Sequence, residues 1–381
     1  MSLLSVATSM MHILTGNIIP FLFVLGIVVF VHELGHFIVG RLCGVGVWTF
    51  SLGFGPELFG FNDRHGTRWR LAAVPLGGYV KFYGDQNAAS MPADEAEMGK
   101  MTPEERRRSL PAQPIWARAL IVAAGPIANF LLAIVVFSGT AYFYGKQTIT
   151  PRLERIEPAS AAEGAGFHPG DVVLKIDGQP IRGFAELAQT VNGHPGQTMT
   201  FIVEREGKEL SLVATPVLTS VKTPFGRQSI GILGVRPSSD PKDLHYAYPS
   251  LPGALAIGVS DTFGFVERTL SYVAGMIVGR ESASQLSGPL GIAQAVGVVA
   301  SWGVVPLLNF MAWMSVSVGL INLFPIPLLD GGHLLFYAIE GSRGRPLSER
   351  AQEVGFRTGL AFVVALMLFV AFNDLWRMFT P

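Results

Sequence analysis

Apolar positions gather into four long runs, roughly Ile18–Leu42, Ile115–Tyr144, Val304–Leu323 and Thr358–Phe372. Crossing a bilayer takes about twenty helical residues, and these runs predict four membrane-spanning helices. The second contains the unbroken stretch FLLAIVVF, and the third is followed by Pro325 and Pro327. After the first run the pattern changes. VGVWTFSLGFGPELFGF and TRWRLAAVPLGGYVKFYG are rich in β-branched and aromatic residues and are separated by the turn-like Asn62-Asp63-Arg64-His65-Gly66. That predicts a hairpin or small sheet. Attached directly to the first span, it is expected to dip towards the membrane, where such backbone must be covered by protein or line a wet cavity. Two roles fit it: an edge strand that holds an extended peptide, or a structural cap on the helices.

Residues 85–114 are polar, with a loop at Met91-Pro92, a helix start at Thr102, and Arg106-Arg107-Arg108 as a solvated or headgroup-facing cluster. Residues 146–236 have the composition of a soluble domain. They read as strand (ITPRLERIE), strand (VVLKIDG), helix (GFAELAQTVNG), a hairpin with Gly207 in its turn, and a last strand (SIGILGV). PASAAEGAGFHPGDVVLKIDGQPI is similar to the PDZ family pattern, with Phe167 in place of the usual Leu. The Gly-Ile-Leu-Gly strand comes last instead of first, which implies a circularly permuted PDZ. Ile230, Gly231, Ile232, Leu233 and Gly234 are then the candidate cradle for a peptide C-terminus; a steric gate without a peptide ligand is the alternative. Within 244–303, Val259–Val278 has the length of a span. Its Asp261, Glu267 and Arg268 predict instead a helix at the interface or packed on the extracytoplasmic side.

Composition agrees with a membrane protein: 49% of the 381 residues are hydrophobic and 15% charged, with mean hydropathy +0.41. The 28 basic and 28 acidic residues cancel, so nothing draws the chain towards nucleic acid. Residues 1–16 carry no Lys or Arg, so the first run is expected to be a retained span and not a cleaved signal. Basic residues cluster in 43–114 and again in 340–357, which assigns both connections to the cytoplasm and both termini to the outside. Cys43 is the sole cysteine, a small apolar residue at a helix end, so any metal must be held by His, Asp or Glu.

Candidate chemistry lies in the first run, at Val31-His32-Glu33-Leu34-Gly35-His36. Ionisable groups are costly at membrane depth and point to function. On a helix His32 and His36 share one face, where both can ligate one zinc ion, with Glu33 beside them as general base. A catalytic zinc needs a third ligand. Asp330 in NLFPIPLLDGGH is the best candidate, since Pro325, Pro327, Gly331 and Gly332 are expected to break the helix there. His333 is the rival, and Glu340 lies further along. Asn322, polar in an apolar span, either satisfies freed backbone groups or holds substrate and its oxyanion.

HELGH, SLGFGPELF, PLGGYVKFYGD, SGPLGI and NLFPIPLLDGGH, with a PDZ-like segment after the second span, together resemble the site-2 protease family and its bacterial RseP branch. The resemblance implies a polytopic α-helical protein with four transmembrane helices, a membrane-associated β-sheet and an inserted PDZ (α+β) domain. The expected segments are 1–42, 43–114, 115–145, 146–237 (PDZ), 238–303 (interfacial helices), 304–339, 340–357 and 358–381. It further implies His32, His36 and Asp330 as ligands of one Zn²⁺ per chain, Glu33 as base and Asn322 as a substrate contact. The implied substrates are single-pass membrane proteins such as anti-sigma factors or signal-peptide remnants, trimmed beforehand by another protease. The implied place is the bacterial inner membrane, with membrane lipid as a partner, the PDZ periplasmic and the active site towards the cytoplasm. One PDZ stands where the branch's best-known member has two in tandem. The rival readings are a non-catalytic adaptor with a structural metal and an ion-coupled transporter.

Overall fold

The computed structural model describes residues 14–85, 99, 101–223, 226–279 and 286–379. The tail before residue 14, the loop around Met91-Pro92, and Arg280 with Glu281 lie outside the described residues. The chain divides into two compact units, one of 1–138, 255–267 and 286–381, the other of 139–254 and 268–285. Among the described residues four helices are long and apolar enough to cross a membrane: Thr15–Leu42, Ile115–Tyr144, Val304–Leu323 and Arg350–Trp376. These are the four expected runs, the last extended at both ends.

Helix α1 (Ile19–Leu42) follows a π-helical turn, Leu14–Ile18. It stops where Gly44 takes φ +80°, so that the Val45 amide reaches the Gly40 carbonyl at 2.9 Å. Strands β1 (Val47–Asn62) and β2 (Arg68–Phe82) follow. Each bends back on itself, so the pair forms four plies. Val47–Leu52 is flanked by Gly78–Phe82 on one side and Arg68–Leu71 on the other, and 59–62 pairs outside Arg68–Leu71. Asp63 shapes the tip, accepting the His65 and Thr67 amides at 2.8 and 2.9 Å. Arg41, in the last turn of α1, donates to Asp63 (3.0 Å) and Thr67 (2.6 Å). Phe50 stacks on Trp69 with centroids 4.3 Å apart, and Phe37 meets both edge-on. These aromatics fix the sheet to α1.

The short helix α2 (Pro103–Arg107) begins at Thr102, whose hydroxyl accepts the Glu105 amide while the Glu105 carboxylate accepts the Thr102 amide. Helix α3 (Ile115–Tyr144) carries Pro126 in its interior. Pro126 has no N–H to donate to the Val122 carbonyl one turn before it.

The second unit holds β3 (Lys146–Ile149), β4 (Leu153–Ile156), α4 (Ala161–Gly164), β5 (Val172–Ile176), β6 (Gln179–Pro180) and α5 (Phe184–Gly193). It continues through β7 (Met199–Arg205), β8 (Lys208–Ala214), β9 (Val217–Thr223), β10 (Gly226–Ile232), β11 (Val235–Pro237) and β12 (Leu244–Ala247). One sheet runs β6-β5-β7-β8, and three strand pairs join β10 to β9, β11 to β4 and β12 to β3. The order of elements follows the expected one, with two expected strands each broken in two. Leu153, Val173, Phe201 and Val203 are fully buried, and Phe167 packs edge-on against Phe201 at 5.4 Å. Glu206 (φ +49°) and Gly207 (φ +77°) form the tight turn between β7 and β8.

Past α6 (Leu251–Ile277) the chain forms α7 (Pro289–Ser301), α8 (Val304–Leu323), α9 (Asp330–Arg343) and α10 (Glu349–Phe379). The stretch 238–303, expected as interfacial helices, holds β12, α6 and α7. Within the first unit Phe265 of α6 stacks on Trp313 of α8 at 6.5 Å, and Val296 of α7 is buried with Val24 and Val28 of α1 and Met311 of α8. Apolar packing, which the scattered charges of 244–303 concealed, draws these segments into the bundle. Asp374 of α10 fastens α7, accepting the Gly288 and Gly291 amides at 2.9 and 3.0 Å.

Asp171 of the GD motif is fully buried and meets Arg205 through two bonds of 2.7 and 2.8 Å. Burial alone would raise its carboxyl, but Arg205 and the His168 amide hold it below the usual carboxylate range. Arg205→Ala should weaken the second unit by on the order of 3–5 kcal/mol at neutral pH. The depressed pKa contributes stability above the unfolded value, lost as pH falls through the folded one. The difference between variant and wild type should therefore shrink below about pH 4, as read by hydrogen exchange of the β5 and β7 amides in the intact protein.

Candidate metal centre

Helix periodicity alone puts His32 and His36 one turn apart, and the fold buries both with Glu33 between them. Their Nε2 atoms face each other at 3.2 Å. Asp330 arrives from the far end of the sequence, in the first turn of α9, where the helix dipole favours a carboxylate. Its Oδ2 lies 3.2 Å from His32 Nε2 and 3.5 Å from His36 Nε2. That oxygen is buried and takes no hydrogen bond. A tetrahedral zinc ion with bonds of about 2.0–2.1 Å needs donors roughly 3.3–3.4 Å apart. The three donors fit zinc, and among the described residues they form a group that could hold a metal ion.

The break that delivers Asp330 differs from the expected one. Helix α8 ends at Leu323 and the chain is non-helical until Asp330, so Pro325 and Pro327 interrupt it as expected. Gly331 and Gly332 lie inside α9 and break nothing. Their role is close approach: a Cβ at either would strike the carbonyls of Leu323, Phe324 or Ile326. Leu328 is held at φ +107°, a strained position for a branched residue.

A cavity of about 390 Å³ opens on the cluster, lined among others by Glu33, Asn322, His333 and Tyr337. Asn322, in the last turn of α8, lines that cavity. His333, the rival ligand, sits in the cavity wall with its ring 5.5 Å from Phe356, outside the cluster of three donors. Glu340 is no ligand either, since Arg118 of α3 grips both its oxygens at 2.6 and 3.2 Å. Gly77, Gly78, Tyr79 and Val80 form another wall. Gly78 lies so close that a Cβ there would stand 3.0 Å from Glu33 Cγ and 2.8 Å from the Ser51 carbonyl.

Helix α3 supplies what the sequence reading missed. The Ile121 carbonyl receives His36 Nδ1 at 2.9 Å, and the Asn129 side-chain amide meets His32 Nδ1 at 3.3 Å. Between them Gly125 leaves room for both rings: a Cβ there would strike His36 Nε2 and stand 2.9 Å from His32 Cε1. A polar residue inside the second apolar run was the signal available for Asn129, the same one that marked Asn322. The candidate PDZ residues belong to the second unit. Ile230, Gly231 and Ile232 pair with β9, Leu233 is buried and accepts the Ala162 amide, and Gly234 turns at φ +84°.

The sequence profile described as peptidase family M50 matches residues 20–366. A protein of Agrobacterium fabrum named "Putative zinc metalloprotease Atu1380" is 45% identical over 363 residues, spanning 95% of this chain and 96% of that one. "Metalloprotease MmpA" of Caulobacter vibrioides is 39% identical over 384 residues, spanning 94% and 95%. Among solved structures, the PDZ domain of an SdrC-like protein from Listeria monocytogenes aligns with 23% of this chain and 87% of its own. That alignment has 17% identity and a TM-score of 0.19.

Gly125→Ala should strip the protein of zinc, because its methyl group displaces the His36 ring. Metal analysis of the purified variant checks this; full zinc content would contradict the geometry.

Proposed function

The chain belongs to peptidase family M50 and is a multi-pass zinc metalloprotease, and on that premise we propose that it hydrolyses single-pass membrane proteins within or near their transmembrane segments. The observation that carries this reading is the placement of His32, His36 and Asp330 at zinc spacing with Glu33 beside them, where His32, Glu33 and His36 lie on a helix long and apolar enough to cross a membrane and Asp330 follows the end of another. Such a placement admits a substrate helix laterally, where a soluble protease would need its substrate extracted.

Zinc bound there supplies Lewis acidity to the scissile carbonyl and lowers the pKa of water. Glu33, beside the site, would take a proton from an attacking water and pass it to the leaving amine. Asn322, in the cavity wall, holds the substrate backbone or donates to the oxyanion. The strand around Gly78–Val80 is an edge whose inner side is occupied by β1 and which lines the cavity. A substrate segment unwound from its helix pairs with that edge as an added strand, and its peptide bonds become accessible.

The PDZ-like unit is read as a permuted PDZ that gates access. A Cβ at Gly231 would meet the Val191 carbonyl, Pro195 and Pro216, so at this point strand β10 is already pressed on the α5 end, and a peptide C-terminus must part them to bind. Substrates such as anti-sigma factors or signal-peptide remnants reach the enzyme after trimming by another protease. The placement proposed is the bacterial inner membrane, with the PDZ and termini periplasmic and the site towards the cytoplasm.

Glu33→Gln should retain zinc and lower cleavage of a model transmembrane substrate by about 10²–10⁴-fold or more; retained cleavage would sink the assignment. Gly78→Val should also keep its zinc but lose cleavage, because its side chain intrudes on Glu33 and on the strand edge. An unimpaired Gly78→Val enzyme would rule out that edge as the substrate's seat.

A further inference from the structure

The two imidazoles have one unsettled requirement. A neutral ring that binds metal through Nε2 carries its proton on Nδ1, and that N–H needs an acceptor when buried. His36 has one in the Ile121 carbonyl at 2.9 Å. His32 Nδ1 faces the side-chain amide of Asn129 at 3.3 Å, and Asn129 is completely buried. With the NH₂ end turned to His32, the ring would have to carry its proton on Nε2, aimed at His36 Nε2 at 3.2 Å and Asp330 Oδ2 at 3.2 Å. That arrangement cannot bind a metal through His32 Nε2. The two ends of an amide have the same shape. Turned end for end, Oδ1 accepts the Nδ1 proton and Nε2 of His32 is free.

We infer that Asn129 is a positioning residue for the metal centre: its side-chain carbonyl accepts the Nδ1–H of His32 and holds that ring in the metal-binding tautomer. The inference rests on the reading of His32, His36 and Asp330 as a zinc site. Ile121, Gly125 and Asn129 fall four residues apart on α3 and form one stripe against His36 and His32. The stripe is held in place from the other side. Ser315 of α8 donates to the Asn129 carbonyl at 2.9 Å, and Gly319 lets α8 approach until a Cβ would stand 3.2 Å from that of Asn129. A buried polar side chain in an apolar span, with its neighbours arranged around it, costs stability that the metal centre recovers.

The test compares zinc affinity, by chelator competition, in the full-length micellar protein and in Asn129→Asp, Asn129→Ala and Asn129→Leu, alongside the melting of the metal-free forms. Aspartate has acceptors only and preserves the required tautomer. It should bind zinc within about threefold of wild type, while Ala and Leu should bind about 10–100-fold more weakly. Leu keeps the volume of the site, so it reads the lost acceptor even if Ala unfolds. Wild-type affinity in Ala or Leu would overturn the inference. So would an Asp variant that falls with them, since that marks a packing role. Wild-type protein that binds no zinc would overturn the metal reading itself, a result distinct from either.

Discussion

Two imidazole rings buried one turn apart on an apolar helix need a partner at each ring edge, and the first unit is arranged around that need. On the inner edges stand the other imidazole and Asp330. On the outer edges stand the Ile121 carbonyl and Asn129, both from α3. An unpaired polar group in an apolar interior costs several kcal/mol, so α1, α3 and α9 cannot drift apart without exposing one of these groups. The contact between α1 and α3 is correspondingly tight, with Gly35 against the Ala124 carbonyl and Gly125 against both rings. Small residues let apolar helices approach in this way where no hydrophobic force separates helix from lipid.

Asp330 depends on a different device. Six residues of irregular chain, with Leu328 at positive φ, turn the end of α8 into the start of α9. The strain is held by close packing of Gly331 and Gly332 on carbonyls of the same turn and by the Arg118–Glu340 pair, which ties α9 back to α3. Strain maintained by its surroundings is a form of preorganisation: the close packing fixes where the Asp330 carboxylate stands. The strand edge at Gly78 meets Glu33 under the same logic, since only a glycine permits the sheet to come that near.

Much of this was readable from residues. Four apolar runs, the hairpin between Val47 and Phe82, the helix start at Thr102 and the tight turn at Gly207 are local patterns. Each is set by side chains a few residues apart, and the structure has them all. The HExxH spacing named two ligands because helix periodicity is local too. Asp330 was reachable because a carboxylate just past two prolines in an apolar stretch is too costly to keep unless a site uses it.

What sequence by itself determined was the chemistry available and the faces on which local periodicity displays it: two histidines and a glutamate on one helix, a carboxylate at a broken one, and a strand rich in glycine. Tertiary structure decided the selection among them. It put Asp330, not His333 or Glu340, at zinc distance from His32 and His36. It gave Gly331 and Gly332 a packing role in place of a breaking one, drew Pro289–Ser301 into the bundle, and set Asn129 behind His32. The physical reason is range. Periodicity and capping act over one or two turns, whereas the groups that converge here lie 97 residues apart for Asn129 and His32, and further for Asp330; their meeting depends on how helices pack.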